Sequence, residues 1–195
     1  MSLLKNILAI VGLVAIIVVI WLFIKVGPLY QQFSAFDPKA LDTYMEMGEL
    51  LLETGNAAEA TIWRRQVQEG LTVEDVEGVM ASVASELNIK NVGELPLSTQ
   101  VELMTGEKQR FLKIYMYCNP LTAMKMVEHS DSYAAYLPCR VSLVEDKQGN
   151  LWVYALNMDM MIHGGTPLPQ DLKEEAIRIR KVILDIMERA AEGDF

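Results

Sequence analysis

Histidine and cysteine are scarce in this chain, with two of each in 195 residues. They do not fall at the usual Cys/His spacing of a closed zinc site. No Cys-x-x-Cys-His run is present, which excludes covalent c-type haem attachment. Basic charge is short too: Lys and Arg number 17 against 26 Asp and Glu, for a net charge of -9. Such a chain repels phosphate backbones, so nucleic acid is set aside as a partner. No nucleophile elbow, phosphate-cradling glycine loop or metalloprotease helix motif occurs, and there is no internal repeat. The chain therefore carries no recognisable catalytic constellation.

What it has in excess is apolar character, 51% of residues, concentrated at the start. Ile7 to Ile24 is apolar without interruption. As a helix this run spans roughly 27 Å, close to the hydrocarbon thickness of a bilayer. It is followed by Lys25-Val26-Gly27-Pro28, with no small-x-small cleavage site, and reads as an uncleaved signal anchor over residues 1–27. Trp21, Phe23 and Tyr30 fall where aromatic rings favour the membrane interface. The short leading tail places the remaining chain across the inner membrane, in the periplasm or outside the cell.

Gly27-Pro28 is expected to end that helix. Residues 28–58 are then expected to form a helical stalk or linker, with Asp37-Pro38 as a helix start and Gly55-Asn56 as its stop. Residues 59–195 form the folded part. Asn56-x-x-Glu59 has the form of a capping box, yet Ala60 to Gln68 fits a strand. Thr72-x-x-Asp75 caps a helix with its stripe at Val76, Val79, Met80, Val83 and Leu87. Ile89 to Leu95 is extended, Ser98 to Met104 is a brief helix, and Phe111 to Cys118 is the strongest strand. Its wholly apolar side, Leu112, Ile114, Met116 and Cys118, is expected to meet the core. Asn119-Pro120 opens a helix, Arg140–Glu145 and Leu151–Asn157 pair as a hairpin, and Asp171 to Ala191 is a long amphipathic helix.

Three groups of residues carry candidate chemistry. Cys118 and Cys139 close a loop of about 20 residues; as a disulfide they would contribute roughly 3 kcal/mol. They read equally as two buried thiols, with a paired-thiol redox or metal site as a third reading. Met158, Met160, Met161 and His163 fall within six residues. Thioether and imidazole suit copper as Cu(I), with Met158, Met160 and His163 as ligands, or a non-covalent haem held by Met161 and His163. Against this stand core-filling methionines and a structural histidine. Tyr115, Tyr117, Tyr133 and Tyr136 are pocket candidates, with packing as their ordinary role. Glu145 and Asp146 read as a solvated acid pair, and Gly164-Gly165 alone signals little.

The run Cys118-Asn119-Pro120 closing a strand, the segment Leu137-Pro138-Cys139-Arg140-Val141 opening the next, and the hairpin with Gly149 resemble the domain of unknown function 302 family. The resemblance covers roughly Ala60 to Ala191. It implies an α+β domain of β-α-β-β-α-β-β-α order, with helices on one face of an antiparallel sheet. Members are often small and self-associating, and the family has no established general activity. The resemblance thus transfers a fold and no reaction. Two functions follow as expectations: a membrane-anchored binding or assembly module, held in the bilayer by Ile7–Ile24 and forming a homo-oligomer or a membrane complex; or a haem- or copper-binding redox protein.

Overall fold

The computed structural model describes residues 2–195; of the expected anchor, Met1 lies outside the described residues. Helix α1 covers Ser2–Phe33. Its large apolar side chains from Ile7 to Ile24 are all exposed, from 44% at Leu22 to 78% at Phe23. The helix is long and apolar enough to cross a membrane, and none of its most apolar 18-residue window is buried inside the protein. The expected stop at Gly27-Pro28 does not occur, and the helix continues through Pro28 to Phe33. Proline removes one hydrogen bond, but the residue before it is glycine, which lacks the Cβ that would clash with the proline ring.

A turn over Ser34–Lys39 leads to α2, Ala40–Thr54, two residues later than the Asp37-Pro38 start that the sequence suggests. Asn56 then caps a single turn, α3, Ala57–Ala60, which leads directly into strand β1, Ile62–Gln66. Both readings of that stretch are therefore realised in succession. The Thr72/Asp75 capping box starts α4, Val73–Glu86, with its side-chain and backbone bonds both made. Then come β2 (Lys90–Leu95), α5 (Leu97–Thr105), β3 (Leu112–Cys118) and α6 (Pro120–His129), capped by Asn119. A 3-10 turn over Asp131–Tyr136 precedes β4 (Cys139–Glu145) and β5 (Leu151–Leu156). One-turn α7 (Asp159–His163) and long α8 (Gln170–Glu192) complete the chain.

The five strands form one antiparallel sheet in the order β1-β5-β4-β3-β2. Helix α4 carries the chain from one edge strand to the other across a single face, and α8 packs beside it. The core lies between them: Val76, Val79, Met80 and Val83 of α4 and Ile183, Ile186, Met187 and Ala190 of α8 meet Val141, Leu143 and Val153 of the sheet.

The side of β3 that faces this core is the reverse of the expected one. Tyr115 and Tyr117 are 2% and 1% exposed, while Leu112, Ile114, Met116 and Cys118 are half-buried on the opposite face. Register fixes this, since Tyr115 pairs with Val141 and Lys113 with Leu143, so these residues share the covered side. The polar tips are satisfied there. Tyr115 Oη donates to Glu77 Oε1 at 2.5 Å, and Lys113 Nζ reaches Glu77 at 2.7 Å and Glu94 at 2.8 Å. A polar atom at the end of a long side chain does not keep its ring out of the core once a partner waits across the layer.

Candidate functional site

The residues that gather most chemistry sit where the segment after α1 meets the domain. Asp37 is 3% exposed and His163 5%. Asp37 Oδ1 lies 3.2 Å from His163 Nδ1, Oδ2 takes the ammonium of Lys173 on α8, and the Lys39 N–H donates to Oδ1 at 3.0 Å. Burial opposes the carboxylate charge, but the Lys173 contact, the Lys39 amide and His163 outweigh it and hold the Asp37 pKa below its usual value. An ionised carboxylate only accepts, so Nδ1 is the protonated ring nitrogen.

Gly164 and Gly165 complete the clamp. The Asp37 N–H donates to the Gly165 carbonyl at 2.8 Å, and Tyr44 Oη of α2 donates to the Gly164 carbonyl at 2.6 Å. A Cβ on Gly164 would lie 2.4 Å from the Met160 carbonyl oxygen, so the chain can close here only over glycine. Sequence reasoning saw Asp37 as a cap and these glycines as a weak signal. Nothing local marks them, because their partners are 120 or more residues apart.

His163 also walls a cleft of about 330 Å³ with Asp42 and Glu46 of α2 and the Asp159–Arg180 ion pair. Met161 lines other cavities, one of about 30 Å³ with Cys118, Met126 and Met158, and one of about 390 Å³ with Tyr133 and Tyr136. His163 and Met161 thus face different spaces. Met158 is buried, while Met160 is 39% exposed. Among the described residues no three His, Cys, Asp or Glu side chains are grouped to hold a metal ion.

Cys118 and Cys139 lie on neighbouring strands as free thiols, with Cys139 opposite Tyr117. Burial raises both, Cys139 to about 11, which keeps the thiols neutral near pH 7. The four tyrosines divide in two. Tyr115 and Tyr117 belong to the core, and burial pushes their phenols up. Tyr133 and Tyr136 stack at 6.4 Å beside the larger cavity, and Tyr133 Oη donates to the Met161 carbonyl at 3.3 Å.

The Glu145-Asp146 pair serves the hairpin. Asp146 accepts from Trp152 Nε1 at 2.9 Å and from the Gln148 and Asn150 backbones, and these bonds, with that from the Asn150 side chain, bring its pKa down to about 2. Glu145 Oε2 accepts from the Phe111 N–H at 3.0 Å.

No curated protein matches the chain. Among solved structures it is similar to the crystal structure of an uncharacterized conserved protein, DUF302, from Bacillus stearothermophilus. The TM-score is 0.54 at 14% identity, over 67% of this chain and 98% of that one. That likeness shows the fold alone. Residues 63–190 match the family described as Domain of unknown function DUF302, well over half of the 195 residues. This chain belongs to that family.

Proposed function

We propose that this protein is a membrane-anchored, non-catalytic binding or assembly module. Helix α1 crosses the inner membrane once, and the DUF302 domain works in the periplasm or outside the cell as a self-associating unit or an accessory subunit of a membrane complex. The observation that carries this reading is the Asp37 clamp. Four residues after α1 ends at Phe33, the chain is bonded to α7 and α8 through Asp37, His163 and Lys173. A flexible tether would leave the domain free to tumble, whereas a clamp this close to the span holds it at a set angle and height. Fixed presentation benefits docking, because less orientational freedom is lost on association.

The test is purification of the full chain from native membranes in mild detergent, followed by size-exclusion with light scattering. Recovery with a second copy or with other membrane proteins is the expected result. Recovery as a bare single chain, or release from membranes by salt alone, overturns the reading.

A further inference from the structure

Helices α4, α6 and α8 cover one face of the sheet; on the other, α5 reaches only the end at Leu112 and Val144. Ile114 and Met116 of β3, Val144 of β4, and Trp152 and Tyr154 of β5 lie there half-buried, with Leu156 at the margin 36% exposed. Register also places every charged strand residue of that face: Arg64 opposite Tyr154, Arg140 opposite Met116, and Lys90 opposite Cys118. All three are cations and all three are exposed, on a chain whose net charge is -9. Neither Arg140 nor Lys90 has an ion-pair partner among the described residues.

The complement to this surface is α2. Ala40, Tyr44 and Met47 turn one side of it to the domain. Leu41, Met45 and Leu52 share an outward stripe at 55%, 55% and 88% exposure, with Gly48 between them and nothing within 4 Å of its Cβ position. This is helical i, i+4, i+7, i+11 spacing, a seam with no partner in its own chain. Asp42, Glu46, Glu49 and Glu53 follow the same spacing one residue later and make a second, acidic stripe beside the first. None of the four has an ion-pair partner among the described residues.

We infer that the open sheet face receives α2 of a second copy of this chain, and that the exchange is reciprocal. The inference deepens the assembly reading and rests on it. Two sheets meeting face to face would set Arg140 and Lys90 of one copy against those of the other, a like-charge contact that opposes docking. The acidic, apolar side of α2 removes that conflict and covers the aromatic and aliphatic rows. Five strands at about 4.8 Å spacing and about 20 Å length present roughly 480 Å². A helix of this length adds a strip of roughly 22 Å by 10 Å. Such a strip covers about 220 Å² of the sheet, so reciprocal docking joins about 440 Å² per partner, about half the ~800 Å² of a stable soluble interface. Confinement of both copies in one membrane raises their effective concentration. Helix α2 precedes the residues that match the family, so this pairing is a feature of this chain and not of the shared domain.

The experiment is a charge exchange on the full chain in vesicles, read by energy transfer between labelled copies. Arg140→Glu alone and Glu49→Arg with Glu53→Arg alone are each expected to weaken self-association about tenfold. The three substitutions together are expected to return it to within about threefold of wild type, because the opposite charges are restored. A combined variant no better than either parent overturns the inference, as does wild-type chain that stays monomeric. Association that requires anionic lipid and ignores the Glu49/Glu53 changes overturns it in favour of lipid headgroups on the sheet face. If self-association is absent while the full chain still co-purifies with another membrane protein, this inference fails and the assembly reading stands. Loss of the chain from the membrane removes both.

Discussion

Helices α1 and α8 are the two longest in the molecule, and they solve opposite problems. Helix α8 buries one stripe, with Leu172, Ala176, Ile179, Ile183, Ile186 and Ala190 all at 8% exposure or less, and turns charged residues outward. Helix α1 has no stripe, since its large apolar side chains from Ile7 to Ile24 point in every direction and none of these is covered by protein. Amphipathic periodicity supplies a helix with a core from its own chain. Uniform apolarity leaves it to find an apolar medium elsewhere, and a bilayer is one of the right thickness. The Asp37 clamp is the place where a helix built for one environment is fastened to a domain built for another.

Substitutions that act on one helix and not on the other separate these roles. The largest effect is expected from Ile16→Arg combined with Val19→Arg. Each arginine at mid-span costs roughly 2.5–3.5 kcal/mol of insertion free energy. The double variant should leave the vesicle fraction while its urea midpoint, followed by domain tryptophan fluorescence, stays at the wild-type value. Ile186→Ala is the mirror case. The side chain is 0% exposed, and its loss should lower unfolding stability by about 3 kcal/mol without altering membrane retention. If Ile16→Ala in α1 cost the domain as much as Ile186→Ala, the separation of the two helices would be wrong.

The clamp between them comes next. Asp37→Asn should cost about 2 kcal/mol, since it removes a buried carboxylate from Lys173 and His163. Because the Asp37 pKa is depressed in the folded chain, its contribution is complete above the unfolded value near 3.8. It is lost as pH falls through the lower folded value, so the gap between variant and wild type should close on acidification below about pH 4. A gap that widened there would show the wrong sign.

The smallest effect belongs to Asp146, at the solvent-exposed hairpin. Its folded pKa of about 2 means that its stabilising bonds fade only between about pH 4 and about pH 2. Asp146→Asn should therefore lower the melting temperature at pH 7 and flatten the acid limb, with solvent screening at the hairpin keeping the pH 7 shift below that of Asp37→Asn. A pH titration of the melting temperature for the three proteins measures both.

The sequence makes elements legible where a local signal exists. The Thr72/Asp75 box, the Asn119-Pro120 start, the Gly149 turn and the α8 stripe each lie within one local stretch of the chain, and each stands where its pattern places it. The order of strands and helices along the domain is the one the family resemblance implies. Two of the failures share one cause. Which side of β3 faces inward depended on Glu77 and Val141 arriving from elsewhere, and an alternating strand with two tyrosines on one side offers no local arbiter. Gly27-Pro28 was read as a stop, whereas the helix continues through it to Phe33. Asp37 looked like a cap because His163 and Lys173, 126 and 136 residues away, leave no trace near it. The candidate site was thus half visible. His163 and the Gly164-Gly165 pair drew notice from residue type alone, and their partner did not.

One measurement bears most directly on the whole account: flotation of vesicles carrying the full chain after an alkaline carbonate wash. If α1 is held in lipid, the protein rises with the vesicles and its domain remains folded by circular dichroism. Protein left in the wash, with α1 intact by mass, would mean that the uncovered apolar helix finds its cover in another protein, and the account would be contradicted.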